Sequence, residues 1–177
     1  MGRNVKVLSE SRILGVDFLI FVTLGTQDKK FPRLLEAVQK QVDSGIIKDK
    51  IIVQKGCTDF SSSDMELYDM LSMDEFENYI KRCDLLITHG GVGSIIKGLD
   101  NNKKVIAAPR LSKYGEHHND HQLQIVDNFC NSGYILKLDD FDKLGEVYQK
   151  SKNFIPKKYI SNTKEFIKKL ENYIDKN

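Results

Sequence analysis

Three glycines lie within four positions directly after an apolar run, in the stretch 83–94 (CDLLITHGGVGS). Glycine adopts positive φ angles and lets the backbone come close to a ligand. A loop that leads into a helix also presents free N–H groups and the positive end of the helix dipole, which together suit a diphosphate. We therefore predict a phosphate-binding loop at this point. The residues alone also allow a tight turn with a capped helix and no ligand.

Two side chains in this loop could take part in the chemistry. His89 can donate to a phosphate oxygen or to a charge that develops on a leaving group, and Ser94 can cap the helix or donate to a phosphate. The loop is not GxGxxG at the first strand, no acidic residue follows at dinucleotide spacing, and GxxxxGK(S/T) is absent. NAD binding and P-loop ATP binding are therefore disfavoured.

A second polar segment, residues 109–125 (PRLSKYGEHHNDHQLQI), carries three of the four histidines. Three interpretations stay open. The segment can be a polar surface loop in which Asp120 caps the next helix. It can bind a metal through Glu116, His117 and His121, although HExxH is absent and we favour no metal. It can also recognise a sugar, because hydroxyl groups need several directed donors and acceptors.

The surrounding elements must bring these segments together. Residues 17–26 (DFLIFVTLGT) are almost continuously apolar, which is typical of a strand buried on both faces of a parallel sheet. Further strands are predicted over 50–56, 65–71, 83–88, 104–110 and 134–138. Helices are predicted to begin near residues 31, 74, 94, 120, 140 and 161.

This alternation predicts the α/β class, with a single Rossmann-like domain and a parallel sheet covered by helices on both faces. In such sheets, ligands bind beyond the carboxyl ends of the strands. Gly25, Thr26 and Gln27 follow the first strand. We therefore expect them to lie beside the glycine loop and the polar segment.

Charge, cysteine content and hydropathy limit the classes of function. The chain has 177 residues, with 27 basic and 25 acidic side chains, so its charge predicts no nucleic-acid partner. Its three cysteines are widely spaced without CxxC, which argues against a disulfide framework or zinc site and favours a cytoplasmic setting. No apolar run is long enough to span a bilayer. Residues 1–17 lack the apolar core of a signal peptide, and we expect an N-terminal extension before a domain over 18–177.

Three motifs, FVTLGTQ, THGGVGS and PRLSKYGEHHNDHQ, occur in this order and resemble the C-terminal, donor-binding half of GT-B glycosyltransferases of family 28. The resemblance covers residues 18 to about 150 and is most specific in GEHHNDHQ. The small single-domain members, which are catalytic subunits of two-component enzymes, look most similar. They include bacterial capsule and exopolysaccharide β-1,4-galactosyl- or glucuronosyltransferase subunits, and the subunit that adds the second N-acetylglucosamine to dolichol-linked sugar.

The resemblance implies a UDP-sugar donor. No cofactor is expected, and no metal should be required, because the helix N-terminus and the loop donors can stabilise the leaving UDP and the three motifs contain no DxD-type metal site. Residues expected to hold the diphosphate are Gly25, Thr26, His89, Gly90, Gly91, Gly93 and Ser94. Residues expected to contact the sugar or the ribose are Gln27, Arg110, Glu116, His117, Asn119, His121 and Gln122.

Two positions in this set have alternatives. In the relatives that form lipid II, a glutamate in the helix after the glycine loop holds the ribose. Lys97 stands at that position here, so Glu116 is a candidate substitute. Arg110 could pair with a glucuronate carboxylate or could be structural.

A complete GT-B enzyme has two Rossmann halves with the active site between them. The resemblance therefore implies a second, membrane-associated subunit that supplies the acceptor half, a lipid-linked glycan acceptor, and peripheral membrane association through that partner. Inverting transfer needs a base for the acceptor hydroxyl and stabilisation of the leaving UDP. His89 and His121 are the catalytic candidates, His117 also has a suitable intrinsic pKa, and the partner could supply the base instead.

Other functions stay open. A non-catalytic module would bind UDP-sugar without transfer, and a Rossmann-like hydrolase or epimerase would turn over UDP-sugar without an acceptor. The residues do not name the sugar, because galactose, glucose, glucuronate and N-acetylglucosamine differ by one hydroxyl orientation or substituent. The frequent Lys and Asn residues hint at an AT-rich bacterial genome, which favours capsule or exopolysaccharide synthesis over the eukaryotic pathway.

Overall fold

The computed structural model describes residues 18–160, which form six β-strands and five α-helices. The strands are β1 (Leu19–Thr23), β2 (Lys50–Gln54), β3 (Glu66–Tyr68), β4 (Leu85–Thr88), β5 (Lys104–Ala107) and β6 (Leu136–Lys137). The helices are α1 (Pro32–Asp43), α2 (Met73–Arg82), α3 (Val92–Asp100), α4 (His121–Asn131) and α5 (Leu144–Asn153). Short 3₁₀ turns lie at Ser112–Tyr114 and Phe141–Lys143. Within this range, no helix has the length and apolar character needed to cross a membrane.

The strands form one parallel sheet in the order β3-β2-β1-β4-β5-β6. The order reverses between β1 and β4, and α/β sheets open a ligand crevice at such a point. Thr23 at the end of β1 is in register with Gln54 of β2 and with Thr88 of β4. The loops that follow these three strands therefore start at the same level. The predicted α/β fold with a Rossmann-like parallel sheet is confirmed.

Strand β1 shows how both faces of the sheet are covered. Ile20 and Val22 belong to one buried cluster, which Leu34 of α1 joins. Leu19 and Phe21 belong to a second cluster, which includes residues of α2, α3 and α4. Successive side chains of a strand point to opposite faces, so a strand covered on both sides must be apolar throughout. This requirement explains the continuous apolar run.

Local hydrogen bonds determine where the helices near the crevice begin. The Ser72 hydroxyl accepts a bond from the Glu75 N–H at 3.3 Å, and the Glu75 carboxylate accepts one from the Ser72 N–H at 2.9 Å, which forms a capping box before α2. Helix α1 begins at Pro32, where no N–H is needed. The preceding Phe31 N–H donates to the buried Thr58 hydroxyl at 3.0 Å.

The structure differs from the predicted elements in a few places. Strands β2 and β3 are shorter than predicted and end at Gln54 and Tyr68. Helix α3 begins at Val92 rather than at Ser94, and the strand predicted over 134–138 has only two residues in the ladder. The extension predicted over 1–17 and the helix predicted from residue 161 lie outside the described residues.

Candidate functional site

A cleft of about 580 Å³ opens at the carboxyl ends of β1 and β4, where the strand order reverses. This volume lies in the range of small-molecule sites. The walls come from the loops after β1 and β4, from the segment that leads into α2, and from the first turns of α3 and α4. Ten residues predicted to bind the donor line the cleft: Gly25, Thr26, Gln27, His89, Gly91, Gly93, Ser94, His117, His121 and Gln122.

The glycine loop turns the chain from β4 into α3. Gly90 has a φ of +84°, and a Cβ there would lie 2.9 Å from Val126, so glycine is required. Gly91 is the N-cap residue of α3, and no side chain caps the helix, so Ser94 does not take the capping role. The first turn of α3 therefore brings uncapped N–H groups to the cleft, as an anion site requires. Gly90 does not line the cleft, and its role is to allow the turn.

The imidazole of His89 is packed between two glycines. A Cβ on Gly25 would lie 2.6 Å from its Cε1, and a Cβ on Gly91 would lie 2.4 Å from its Nε2. The ring's Nδ1 lies 3.3 Å from the Thr23 carbonyl oxygen. Nδ1 also lies 3.4 Å from the Thr88 hydroxyl, which can donate or accept. The Thr23 carbonyl oxygen can only accept, so we assign the proton to Nδ1 and a lone pair to Nε2. Burial, assisted by the positive charge of Arg110, lowers the pKa of His89 to about 4, so the ring is neutral at pH 7.

This tautomer changes what His89 can do. In this tautomer Nε2 can only accept a hydrogen bond, whereas the predicted donation to a phosphate oxygen requires the proton on Nε2 and the loss of the bond to Thr23. A lone pair can take a proton from an acceptor hydroxyl, but the low pKa makes the ring a weak base at neutral pH. His121, the other catalytic candidate, lines the cleft as the first residue of α4 and is exposed. The catalytic role of either residue stays a prediction.

Glu116 does not contact the cleft, contrary to the predicted sugar or ribose contact. Its carboxylate is 3% exposed and accepts two bonds from Arg33, at 2.6 Å from Nε and 2.7 Å from the terminal nitrogen. It also accepts the Leu111 N–H at 3.0 Å. The Arg33 guanidinium lies 4.1 Å from the ring centre of Tyr114 and 4.3 Å from that of Phe141. Glu116 therefore ties the polar segment to α1.

Glu116→Gln is expected to lower the free energy of unfolding by about 1–3 kcal/mol, because Arg33 loses its charged acceptor in a mostly buried pair. The affinity for UDP should stay that of the wild type, because the carboxylate does not face the cleft. Urea unfolding and calorimetric titration measure the two quantities. Asp59→Asn removes a comparable ion pair between exposed side chains and should change stability by less than about 1 kcal/mol. A selective loss of UDP affinity in Glu116→Gln would show that Glu116 contacts the donor after all.

The other interpretations of the polar segment can be compared with these contacts. The Glu116 carboxylate is held by Arg33, so it does not join His117 and His121 in a metal-binding set. Over residues 18–160 no group of three or more His, Cys, Asp or Glu side chains is arranged to hold a metal ion. Asp120 stands at the N-cap of α4, but its carboxylate accepts the Ser112 N–H at 2.8 Å instead of capping that helix.

Two more predicted contact residues lie outside the cleft lining. The Asn119 side-chain oxygen accepts the His121 N–H at 3.1 Å, so this residue shapes the start of α4. Arg110 is only 1% exposed, which is incompatible with direct pairing to a glucuronate carboxylate. Its guanidinium donates to the Leu24 carbonyl at 2.6 Å, behind the loop that follows β1.

Sequence reasoning missed part of the cleft. Lys97 lines it one helical turn beyond Ser94, with its Nζ 3.2 Å from a carboxylate oxygen of Glu77. An ammonium group thus stands where the resemblance places a carboxylate for the ribose. The segment after β3 could have been found from the rule that ligands bind beyond strand ends. The unpredicted apolar lining consists of Leu71, Met73, Phe76, Val92 and Ile125.

The parallel sheet, the uncapped start of α3 and the cleft at the strand-order reversal define a Rossmann-like domain of the nucleotide-binding type. Residues 19–176 match the family described as the glycosyltransferase family 28 C-terminal domain. The chain therefore belongs to glycosyltransferase family 28, and the predicted resemblance is confirmed.

Individual relatives agree with this assignment. Over 77 residues, which are 44% of this chain, the sequence is 32% identical to the UDP-N-acetylglucosamine transferase subunit ALG13 of Candida albicans. The match spans a quarter of that relative's length (25%). The solution structure of ALG13 is similar with a TM-score of 0.56 and 20% identity, over 87% of this chain and 94% of that one. The glycotransferase of kitacinnamycin is similar with a TM-score of 0.58 and 17% identity, over 86% of this chain and 39% of that one. At these identities the two structures show the fold.

Proposed function

We propose that this chain is the donor-binding, catalytic subunit of a UDP-sugar glycosyltransferase. The observation that carries the proposal is the cleft, where ten predicted donor-binding residues surround the uncapped start of α3. Family membership supports the same reaction class. The subunit would transfer a hexose to a lipid-linked glycan with inversion of the anomeric configuration. The new bond would be a β-1,4 linkage.

The cleft offers separate surfaces for the parts of a UDP-sugar. The diphosphate would lie over the N-terminus of α3, whose N–H groups and dipole favour anions without a metal ion. The uracil would meet the apolar surface formed by Leu71, Met73 and Phe76. The sugar would lie towards His121 and Gln122 at the start of α4. This arrangement would stabilise the negative charge that develops on the leaving UDP during the transfer.

The acceptor side would come from a second subunit at the inner face of the membrane, so that this chain would be cytoplasmic and peripheral. The name of the Candida albicans relative identifies that protein as a transferase subunit and names UDP-N-acetylglucosamine. N-acetylglucosamine is therefore the first sugar to test. Galactose and glucuronate, which a capsule or exopolysaccharide pathway would use, are the next.

Calorimetric titration of the purified chain with UDP, UDP-N-acetylglucosamine, UDP-galactose, UDP-glucose and UDP-glucuronate tests the proposal. We expect binding that prefers one sugar and is unchanged by EDTA. Loss of binding in EDTA would contradict the metal-free site. The absence of binding both by the chain alone and by the chain co-purified with its membrane subunit would contradict the proposed function.

Turnover distinguishes the competing functions. A transferase subunit should move radiolabelled sugar to the lipid fraction only when membranes of the source cells are added. A non-catalytic module would bind the donor and transfer nothing under the same conditions. A hydrolase or epimerase would convert UDP-sugar without any membranes.

A further inference from the structure

Arg110 is a buried cation directly behind the wall of the cleft. It is 1% exposed, and its guanidinium carbon lies 5.7 Å from the ring centre of Phe31. Among residues 18–160, Arg110 forms no ion pair, and its Nε has no hydrogen-bond partner. A buried charge without a directly paired counter-ion disfavours the folded state. Its presence next to a cleft therefore points to a role beyond packing.

Arg110 determines the orientation of two glutamine amides. Its terminal nitrogen donates to the Gln27 side-chain oxygen at 3.1 Å, and its backbone N–H donates to the Gln122 side-chain oxygen at 3.2 Å. The two ends of an amide are often hard to distinguish in structures. Here the chemistry decides, because guanidinium and backbone N–H groups can only donate, so both amide oxygens must face Arg110.

The amide nitrogens are then available to a ligand. Gln27 and Gln122 both line the cleft, and their side-chain nitrogens have no partner within the described residues. Each amide nitrogen carries two N–H donors. The cleft wall in front of Arg110 thus presents donors with a buried positive charge behind them. Such a surface suits the oxygens of an anionic ligand.

We infer that Arg110 is a positioning residue, which holds the Gln27 amide so that its nitrogen donates to an oxygen of the nucleoside diphosphate. The guanidinium would also add positive potential behind this contact, and the bound anion would offset the buried charge. Only the identity of this ligand rests on the proposed function. The orientation of the amide follows from the hydrogen bonds of Arg110 itself.

A double-mutant cycle tests this coupling. Arg110→Lys keeps the charge but cannot form the same pair of bonds, and Gln27→Met removes the amide at similar size. Each variant is expected to weaken UDP binding about tenfold, and the double variant no more than either one, because both remove the same contact. Losses that multiply would show that Arg110 does not act through Gln27.

Gln122→Met is the matched control. Its oxygen bonds to the backbone N–H of residue 110, which Arg110→Lys retains, so the losses in that pair should multiply. Coupling as strong as in the first pair would indicate a general disturbance of the loop and would contradict the inference.

Gln27→Glu separates positioning from stability, since Gln27 is exposed and its variants should fold. The new carboxylate should pair with Arg110 and keep the melting temperature at or above that of the wild type. It would replace two donors by acceptors, so UDP affinity should fall more than it does in Gln27→Met. Affinity equal to or above that of Gln27→Met would overturn the inference.

An NMR measurement without ligand keeps the inference testable if UDP does not bind. In Arg110→Lys, the side-chain amide signal of Gln27 should shift and that of Gln122 should not. If the wild type does not bind UDP but Arg110→Lys changes only the Gln27 signal, the proposed ligand is contradicted and the positioning role is retained. An unchanged Gln27 signal would contradict the positioning role itself.

Discussion

Gly91→Ala is expected to lower both the stability of the fold and its affinity for UDP. A Cβ at this position would lie 2.4 Å from Nε2 and 2.8 Å from Cε1 of His89. The ring cannot simply move away, because it also touches Gly25 and bonds to the Thr23 carbonyl. Overpacking of this kind costs about 1–3 kcal/mol. The displaced ring would also disturb the N-terminus of α3, so UDP should bind at least about tenfold more weakly.

Gly93→Ala is the matched control, two residues along the same loop. No atom lies within 4 Å of a Cβ at Gly93, and the residue is inside the first turn of α3. Alanine should therefore keep or raise the free energy of unfolding, by up to about 1 kcal/mol. Chemical denaturation and UDP titration of both variants make the comparison. Equal stability of the two variants would show that His89 is not packed against Gly91 as described.

Acidification should destabilise the wild type more than His89→Gln. Burial lowers the pKa of His89 to about 4, whereas an unfolded histidine titrates near its ordinary value of 6.5. Between these values the unfolded state binds more protons, so stability falls as pH falls. The contribution of His89 is complete above pH 6.5 and is lost by about pH 4. Complete loss of this contribution would cost about 3 kcal/mol.

Urea unfolding at pH 7, 5.5 and 4.5 measures this effect in both proteins. Carboxylates also lose favourable contacts in acid, but they are the same in the two proteins, so the difference isolates His89. Relative to the wild type, the unfolding free energy of His89→Gln should rise as the pH is lowered. A gap that is constant over this range would show that His89 titrates normally and is not buried in neutral form.

The fold could be predicted from local patterns. The continuous apolar run at residues 17–26 requires a strand that is covered on both faces, and the helical spacing that follows requires a crossover helix. The glycine loop could be predicted in the same way, since positive φ at Gly90 and an uncapped helix start are properties of a few consecutive residues. The rule that ligands bind beyond strand ends then predicted that Gln27, His89 and Gln122 lie together at one edge of the sheet.

The directions of the polar side chains could not be predicted in this way. The segment 109–125 presents acidic, amide and imidazole groups close together, and all of them are suitable for a sugar. Glu116 turns away from the cleft because its partner, Arg33, lies 83 residues earlier in the chain. Arg110 is buried because it bonds to the Leu24 carbonyl, 86 residues away.

The sequence by itself determined the α/β class, the parallel sheet, the family and the edge at which the cleft opens. These features depend on periodicity and on short motifs, which are local in the chain. Only the tertiary structure decided that Arg110 and Glu116 support the cleft rather than line it, that His89 is a neutral acceptor, and that Lys97 faces the cleft. The reason is that burial and hydrogen-bond partners are set by residues distant in sequence, and these decide which polar group a ligand meets.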